Sequence, residues 1–408
     1  MFLVLPVEEH IRLLLEGEAH DKPCDDCELS QVDNELPPWF EENKFKRGQK
    51  YIFRNLLGQF TVTLCGLITV LSIPSSLKIL INTQKSTSIQ GAYRRYASTI
   101  KHVYSWYSED LRPGTKSWQS LLAVRMRHLK SSKISQVRGT GHISQRDLVL
   151  TQFGFMGTGL LKPHLLGMES DNAEDVEGYI HFWRTIGYML GIEDRYNLCR
   201  ASLQETREVT QYVNDKVFRE LLRNPTQYFY HMIVELLDGM WYINISIFTK
   251  PFIYYTHRLM GITGFDYGLP ESEKQSQIMP NFNNNITNEV FNTGNNDFAI
   301  DPVQFFSSFN WFEKIILNAM VDAFQRSMFT TVGRWVHNTA MYLTMFYINY
   351  MPVFAFWRFG IRNSYVDMTV EDISLKNVRC VRQYNILKLY VYIKKNFVHY
   401  FITFQNSF

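Results

Sequence analysis

Residues Ser117–Leu129, SWQSLLAVRMRHL, carry two polar side chains inside an otherwise apolar helical pattern. Leu121, Arg125 and His128 recur at the spacing of one helix face, which continues to Leu129. Burying a guanidinium and an imidazole in such a face is costly unless each has a partner. We therefore expect the face to meet an anionic group or a metal. The alternative is the rim of a core, where the arginine reaches solvent and the histidine bonds a carbonyl oxygen.

The same helical spacing recurs along most of the chain. Ala92–Tyr107 and Leu148–Leu161 lie on either side of the central stretch, and Ser144 can cap the second of them. Further helices are predicted at Val176–Leu190, Leu203–Leu222, Tyr228–Phe248 and Ile315–Phe356. The sequence holds no internal repeat and no alternating strand pattern of note. The chain is therefore predicted to be all-α, with a single large multi-helix domain.

Three segments of different character divide the chain. Residues 1–36 are acidic and weakly periodic, and they are predicted to form a loosely structured N-terminal arm. Residues 37–360 are predicted to form the main domain, with a loop at Asn281–Asn296 that contains eight asparagines. Residues 361–408 are rich in Lys, Tyr and Val without a clear amphipathic face, so their pattern predicts no definite structure for this tail.

The composition of the 408-residue chain excludes several classes of protein. Hydrophobic residues make up 46% and aromatic residues 15%, enough for a sizeable core and too many for global disorder. The formal net charge of +3 gives no electrostatic case for binding nucleic acid. The five cysteines are scattered and odd in number, which argues against a secreted disulfide scaffold. Cys24 and Cys27 have the spacing of a metal knuckle, but no second pair accompanies them.

Two uncharged segments raise the question of a membrane. Asn55–Leu77 and Trp335–Trp357 are each 23 residues long without Asp, Glu, Lys or Arg, which is long enough to span a bilayer. Polar inserts such as Gln59 and His337 fit buried helices of a large α-domain equally well. No signal peptide is evident, because Met1–Val7 lacks a basic residue and two glutamates follow it. Membrane contact is left open, with a membrane-associated location at the endoplasmic reticulum and a cytoplasmic location as alternatives.

Common nucleotide-binding, protease and hydrolase motifs do not occur. The sequence has no Walker motif, no dinucleotide fingerprint, no HExxH and no nucleophile elbow. Gly154, Gly157 and Gly159 lie within a predicted helix, where each costs about 1 kcal/mol relative to Ala. Close packing of another helix explains them best, and close packing of a flat ligand is the alternative.

Several short motifs occur together in a fixed order. They are Arg47-Gly-Gln49, Ala92-Tyr-Arg-Arg-Tyr96 followed by Thr99, Val124-Arg-Met-Arg-His128, Ser144-Gln-Arg-Asp147 and the segment Phe182–Gly191. In this combination the chain resembles the latex-clearing (rubber) oxygenase catalytic domain, in the branch that contains the endoplasmic-reticulum-bound oxygenase of mycophenolic acid biosynthesis. The resemblance covers about residues 40–360, and it rests on the ordered combination of the motifs.

The resemblance implies an all-α fold that encloses one b-type haem. It also implies that carbon–carbon double bonds of isoprenoid chains are cleaved with molecular oxygen to give carbonyl products. The central helix of the family carries an arginine and, three residues later, a haem-site lysine or histidine; these positions are Arg125 and His128 here. Arg125 is accordingly expected to steady charge on the propionates or on oxygen, and His128 to ligate or gate the iron. Arg95 and His102, on a neighbouring motif, are further cofactor-binding candidates.

The chain departs from the rubber-oxygenase branch at that branch's second haem-ligating histidine. The matching position is Phe153, which cannot ligate iron. Three alternatives follow: His128 is the sole strong ligand, His181 or His164 supplies a second one, or haem binding has been lost. The candidate metal ligands are therefore His128 and His181.

The leading prediction is a haem-dependent oxygenase that acts with molecular oxygen on a hydrophobic, isoprenoid- or lipid-like alkene. In it, Glu109 is a candidate base by its position before the central helix. The alternative from another class is a catalytically silent, membrane-associated or lipid-binding helical protein of the same fold. A third hypothesis is a metal-dependent hydrolase that uses His181 with Glu177 and Asp194.

Overall fold

The computed structural model describes residues 6–24, 35–83, 86–168, 172–226, 228–265, 300–366 and 368. These residues form helices joined by short connections. No strand occurs among them, apart from one isolated bridge between Pro23 and Ser144. The prediction of an all-α fold with one large domain is confirmed.

The helices, in chain order, are α1 (Val7–Leu15), α2 (Glu18–Asp21), α3 (Glu42–Arg54), α4 (Leu56–Val70), α5 (Pro74–Thr83), α6 (Ile89–Ser108), α7 (Lys116–Val137), α8 (Gln145–Leu161), α9 (Ala173–Met189), α10 (Leu203–Val213), α11 (Arg219–Arg223), α12 (Phe229–Trp241), α13 (Thr249–Leu259), α14 (Pro302–Ser307), α15 (Trp311–Gln325), α16 (Thr331–Tyr350), α17 (Val353–Phe359) and α18 (Ile361–Ser364). A π-helical turn, Asn214–Phe218, joins α10 to α11.

The core is built around the contact of α4 with α8. Most side chains of α4 are buried, including the polar Gln59, whose amide donates to the carbonyl oxygen of Phe155 at 2.9 Å. The two backbones meet at Gly66 and Gly154, where a Cβ atom on Gly66 would lie 1.6 Å from the carbonyl oxygen of Gly154. Glycine at position 154 therefore serves close helix–helix packing, which is the favoured of the two sequence-based explanations.

A second close pair, α3 with α9, explains the motif at residues 47–49. A Cβ atom on Gly48 would lie 2.3 Å from the carbonyl oxygen of Gly178, so only glycine fits between these helices. The side chain of Gln49 donates to the carbonyl oxygen of Trp106 at 2.8 Å, near the C-terminal end of α6. The motif thus holds α3 against both α9 and α6.

Two other motifs of the family resemblance also have structural roles. Ser144 and Asp147 form a capping box at the start of α8, each side chain accepting from the backbone N–H of the other. Arg184 of α9 donates to both carboxylate oxygens of Asp194, at 3.0 and 2.8 Å. The same guanidinium lies over the ring of Trp39, 4.0 Å from its centre. These contacts fix the ends of α8 and α9.

The N-terminal residues differ from the predicted loose arm. α1 and α2 are helical, and the side chains of Ile11, Leu14 and Leu15 are buried in the core. The backbone N–H of Cys24 donates to the carbonyl oxygen of Ile143 at 2.7 Å, which ties the segment to the turn before α8. The spacing of the three apolar residues is that of a helix face, but the acidic average over residues 1–36 conceals it. The prediction is corrected for residues 7–24.

Neither uncharged segment forms one long helix. The first is divided into α4 and α5 before Pro74, and the second into α16 and α17 at Met351 and Pro352. Within the described part of the chain, no single helix has the length and hydropathy of a membrane span. One pair, α3 with α4, reaches these values only jointly, and it bends by 92°.

The helical domain continues past the predicted boundary at residue 360. Tyr93 of α6 donates to the carbonyl oxygen of Ser364 at 2.7 Å, and Lys101 donates to that of Val366 at 2.8 Å. These bonds hold α18 against α6. The predicted loop Asn281–Asn296 and the tail from residue 369 onwards lie outside the described residues.

Candidate functional site

The helices α6 and α7 form an antiparallel hairpin that brings most of the candidate residues together. Ser88 caps α6 and Thr115 caps α7, each by accepting from the backbone N–H three residues on. Because the helices run in opposite directions, residues late in α7 face residues early in α6. Arg95 and His128 lie in this half of the hairpin.

A hydrogen-bond network joins His102 of α6 to α7. Arg127 donates to the Nε2 atom of His102 at 3.0 Å and to the hydroxyl of Ser98 at 3.3 Å. Arginine can only donate, so Nε2 accepts and Nδ1 carries the proton, which it donates to Ser120 at 2.7 Å. Trp106 donates to the same hydroxyl at 2.8 Å. Both ring nitrogens of His102 are thus hydrogen-bonded. His102 therefore positions Arg127 and has no nitrogen left to bind a ligand.

His128 lies beside Arg95, where the hairpin leaves polar groups unsatisfied. The Nδ1 atom of His128 is buried and has no hydrogen-bond partner among the described residues. Arg95 donates to the hydroxyl of Ser86 at 3.1 Å, and no carboxylate in the described part of the chain pairs with it. A buried polar atom without a partner costs about 1–3 kcal/mol. The pair is therefore suited to a ligand that brings negative charge to Arg95 and a binding partner to His128.

Burial and the nearby arginines keep the histidines of this cluster neutral. Burial, together with the charges of Arg95 and Arg127, lowers the pKa of His128 to about 4. Burial and the charge of Arg127 lower the pKa of His102 to about 4 as well. Burial also lowers the pKa of Arg95, although a guanidinium stays charged in proteins. At neutral pH the cluster therefore presents positive charge and one unengaged imidazole nitrogen.

Arg125 lies on α7 one turn before His128 and is partly buried, so it belongs to the helix face that the sequence indicated. Arg127 and Ser120 were not among the predicted residues. They are seven residues apart, which is two helical turns, so they share a face of α7. That spacing is visible in the sequence, but its meaning depends on His102, which only the hairpin brings opposite.

Glu109, the predicted base, is not part of the cluster. It is the C-cap of α6, and its carboxylate lies 3.6 Å from the Nζ atom of Lys116 at the start of α7. Twelve residues separate Lys116 from His128, which is about 18 Å at the helical rise. Glu109 thus lies at the opposite end of α7 from the cluster, and its role as a base stays a prediction.

His181, the second predicted metal ligand, contacts a different part of the molecule. Its Nε2 atom accepts a hydrogen bond from the backbone N–H of Glu41 at 3.0 Å, and its ring packs against Trp39 and Phe40. Burial lowers its pKa to about 4. No contact joins it to His128 within the described residues. His181 therefore anchors the segment before α3.

The described residues contain no metal site of the kind that the hydrolase hypothesis requires. Asp194 is held by its ion pair with Arg184, and no group of three or more His, Cys, Asp or Glu side chains in the described ranges is placed to hold a metal ion. His164 lies partly buried in the short 3₁₀ turn after α8. Cys24 is buried, and Cys27 lies outside the described residues.

Phe153, at the position of the expected second haem ligand, is packed in the core. Its ring centre lies 4.6 Å from that of Phe218, the last residue of the π-helical turn. A Cβ atom on Gly157 would lie 2.6 Å from the Phe153 ring, so glycine makes room for the aromatic side chain. The position is filled by an aromatic pair and offers no donor atom.

A small apolar cavity of about 40 Å³ lies on another face of α6. Ile100, Val103 and Tyr107 line it together with residues of α4 and α16. These positions are roughly a third of a turn around α6 from Arg95 and His102, so the cavity is separate from the cluster. Its volume is far below the roughly 300–1,000 Å³ of ordinary ligand pockets.

Known proteins offer an independent comparison. A family model described as the catalytic domain of the ER-bound oxygenase mpaB/B′ and rubber oxygenase matches residues 54–259, half of the chain. A solved structure of latex clearing protein in the closed state is similar at 17% identity and a TM-score of 0.49, covering 83% of this chain and 85% of that one. No curated protein matches the chain. The residues matched by the family model include the whole α6–α7 hairpin. The chain therefore belongs to the mpaB/B′ and rubber oxygenase family, and it is an enzyme of the oxygenase class.

Proposed function

We propose that this oxygenase depends on haem and acts on a hydrophobic, isoprenoid- or lipid-like alkene. The observation that carries the proposal is the buried Nδ1 atom of His128, without a partner among the described residues and next to the charged Arg95. An iron porphyrin offers the two groups that this pair lacks. Its metal accepts an imidazole lone pair, and its propionates pair with a guanidinium.

The donor set of the cluster fits this cofactor. His128 would hold the iron, and Arg95 would pair with a propionate. Arg125, one turn from His128 on the same helix, is a further propionate partner. Arg127, held by His102, adds positive charge beside the imidazole. Haem supplies the oxygen chemistry, which no side chain of the cluster provides.

Neutrality of His128 is a requirement of this role. An imidazole binds a metal only through an unprotonated nitrogen, so protons and metal compete for it. With its pKa lowered to about 4 by burial and by the neighbouring arginines, His128 is neutral at physiological pH, so one of its two ring nitrogens carries no proton. The surrounding positive charge thus favours both the ligand state of the imidazole and the binding of an anionic cofactor.

Phe153 has no donor atom, so the position on α8 where the family resemblance places a second ligand cannot supply one. His181 is engaged with the backbone of Glu41. These observations on Phe153 and His181 support the alternative in which His128 is the sole strong ligand.

The substrate class rests on family membership and not on the apolar cavity, whose volume of about 40 Å³ is too small for an isoprenoid chain. The family description names ER-bound members. It therefore supports a membrane-associated location as part of the same proposal.

Absorption spectroscopy of the purified full-length protein, before and after addition of haem, tests the cofactor. We expect a Soret band that changes in position or intensity in His128→Ala. The matched control is His337→Ala, which removes a histidine of α16 that bonds Ser327, and it should leave the band unchanged. A protein that shows no Soret band after reconstitution would contradict the haem proposal.

Oxygen consumption with an isoprenoid alkene, together with detection of a carbonyl product, tests the substrate class separately. If the haem-loaded protein consumes no oxygen with such alkenes, the cofactor assignment stands and the proposed substrate class is refuted.

A further inference from the structure

One part of the surface differs from the rest in composition. Fourteen of the nineteen exposed large apolar side chains found in the described residues lie between positions 303 and 361, on α14 to α18. We name this set the C-terminal apolar surface. Trp311, Val332, Leu343 and Trp357 are each exposed by 60% or more, and Trp357 by 83%. An exposed apolar patch of this kind marks an interaction surface.

The helix α16 carries apolar side chains on both of its faces. Its inner face is fixed to the core, where Asn338 donates to the carbonyl oxygen of Arg54 at 2.8 Å and Met345 is buried. Its outer face carries Val332 and Leu343, which are 72% and 60% exposed. A helix that is hydrophobic all round is either buried in protein or in contact with lipid. The inner face already packs against the protein core, so the exposed outer face is the one available to a binding partner.

Basic side chains outnumber acidic ones on α14 to α18, where Lys314 and four arginines stand against Glu313 and Asp322. Residues 323–366 contain four arginines and no Asp or Glu. Arg358 and Arg362 are exposed and directly follow the exposed Trp357 and Ile361 in sequence. Exposed tryptophan beside arginine is typical of the boundary between lipid tails and headgroups, where the ring enters the boundary and the cation meets phosphate.

The charges also argue against a second copy of this chain as the partner. A two-fold interface would bring together two surfaces that each carry an excess of positive charge. Like charges brought together in this way are unfavourable, and Glu313 and Asp322 offset only part of that excess. An anionic lipid surface offers both the apolar contact and the opposite charge.

We propose that the C-terminal apolar surface docks this protein on an anionic phospholipid membrane, with α16 and α17 lying along the interface without spanning it. The apolar side chains would enter the boundary between headgroups and tails, while Arg358 and Arg362 contact the phosphates. The docking rests on the membrane-associated location proposed above but not on the haem chemistry, so a failure to bind vesicles would leave the haem proposal standing.

Flotation of the full-length protein with vesicles tests the docking surface. We expect binding to vesicles of phosphatidylcholine with phosphatidylserine, and weaker binding to pure phosphatidylcholine. The double variant Val332→Glu/Trp357→Glu should lower the vesicle-bound fraction at least roughly tenfold, because it replaces two anchoring apolar groups by charges. Both side chains are exposed, so circular dichroism should show an unchanged helix content.

The matched control is Val137→Glu at the end of α7, where the side chain is 89% exposed but lies outside the C-terminal apolar surface. It should bind vesicles as the unmodified protein does. If the control loses as much vesicle binding as the double variant, the added negative charge alone explains the loss. That result would overturn the proposal.

Two further measurements separate lipid from other occupants. Arg358→Gln/Arg362→Gln should abolish the preference for phosphatidylserine while retaining part of the binding to phosphatidylcholine. Size-exclusion chromatography with light scattering should show the same oligomeric state for the unmodified protein and for the double variant. A full-length protein that fails to float, or a self-association that the double variant abolishes without any effect on flotation, would overturn the proposal.

Discussion

The Nε2 atom of His102 accepts a hydrogen bond from Arg127 at 3.0 Å, and this contact decides which nitrogen of the histidine carries the proton. The proton lies on Nδ1, which donates to Ser120 on the facing helix. The contact thus joins α6 to α7 at the level of the cluster and fixes the direction of a guanidinium. The cluster is therefore organised by the hairpin itself, before any ligand binds.

Replacing His102 by phenylalanine should lower the free energy of unfolding by about 2 kcal/mol, because Arg127 and Ser120 both lose a buried partner. His102→Gln retains one acceptor and one donor, so it should lose clearly less. Urea denaturation followed by circular dichroism measures both. Equal losses in the two variants would show that ring volume, and not hydrogen bonding, is what the position requires.

Arg95→Gln should weaken haem binding about tenfold, the loss expected from one charge-assisted contact to a propionate. The matched control is Arg94→Gln, because Arg94 is exposed and donates to the carbonyl oxygen of Asn363 at 3.0 Å, away from the cluster. Titration of the haem-free protein with haem, followed at the Soret band, gives the two affinities. The assignment of Arg95 fails if both variants bind haem as tightly as the unmodified protein.

The helices could be predicted from the sequence because apolar periodicity is a local property. The same rule places Ile11, Leu14 and Leu15 on a helix, yet the acidic average over residues 1–36 led to the prediction of a loose arm. The glycines of α8 could be read as a close contact, but the partner helix could not be named. Gly66 was not singled out, since a partner so distant in sequence is fixed only by tertiary packing.

The candidate site was predictable in part. Arg125 and His128 could be placed on one helix face from spacing alone, and the family resemblance added a role for them. Arg127 was missed, because its importance depends on an antiparallel partner that local spacing cannot reveal. Glu109 was chosen for its nearness in sequence to the start of α7, but that nearness does not place it near His128: Lys116, which it contacts, lies about 18 Å along the helix from His128.

Gly66→Ala should destabilise the protein by about 3 kcal/mol, because the new Cβ atom would lie 1.6 Å from the carbonyl oxygen of Gly154 and two core helices would have to separate. Gly159→Ala on the facing helix is the control. Its nearest neighbours are side-chain atoms of Tyr179 and Val62, at 2.9 and 3.1 Å, which can move. Thermal unfolding compares the two, and an equal loss in both would contradict the backbone contact.

Acid should destabilise this protein between about pH 6.5 and pH 4, and His257 is the sharpest test. It is 1% exposed, its Nδ1 atom donates to the carbonyl oxygen of Ile253 at 2.8 Å, and burial lowers its pKa to about 4. The unfolded chain, with a pKa of about 6.5, binds the proton more readily in this window. The contribution of His257 to the free energy of unfolding is therefore fully present above pH 6.5. It falls by on the order of 3 kcal/mol as the pH decreases to about 4.

His257→Phe should make the free energy of unfolding depend less steeply on pH in that window, by the contribution of one proton. Other buried histidines keep some slope, since burial likewise lowers the pKa values of His10, His102, His128 and His181 to about 4. The control is Phe265→Leu, which trims the ring packed 4.7 Å from His257 but leaves the titrating group in place. It should lower stability by a similar amount at every pH between 4 and 7, as measured by urea denaturation at a series of pH values. If the slope were the same in His257→Phe as in the unmodified protein, this histidine would not be the neutral, buried group that its surroundings require.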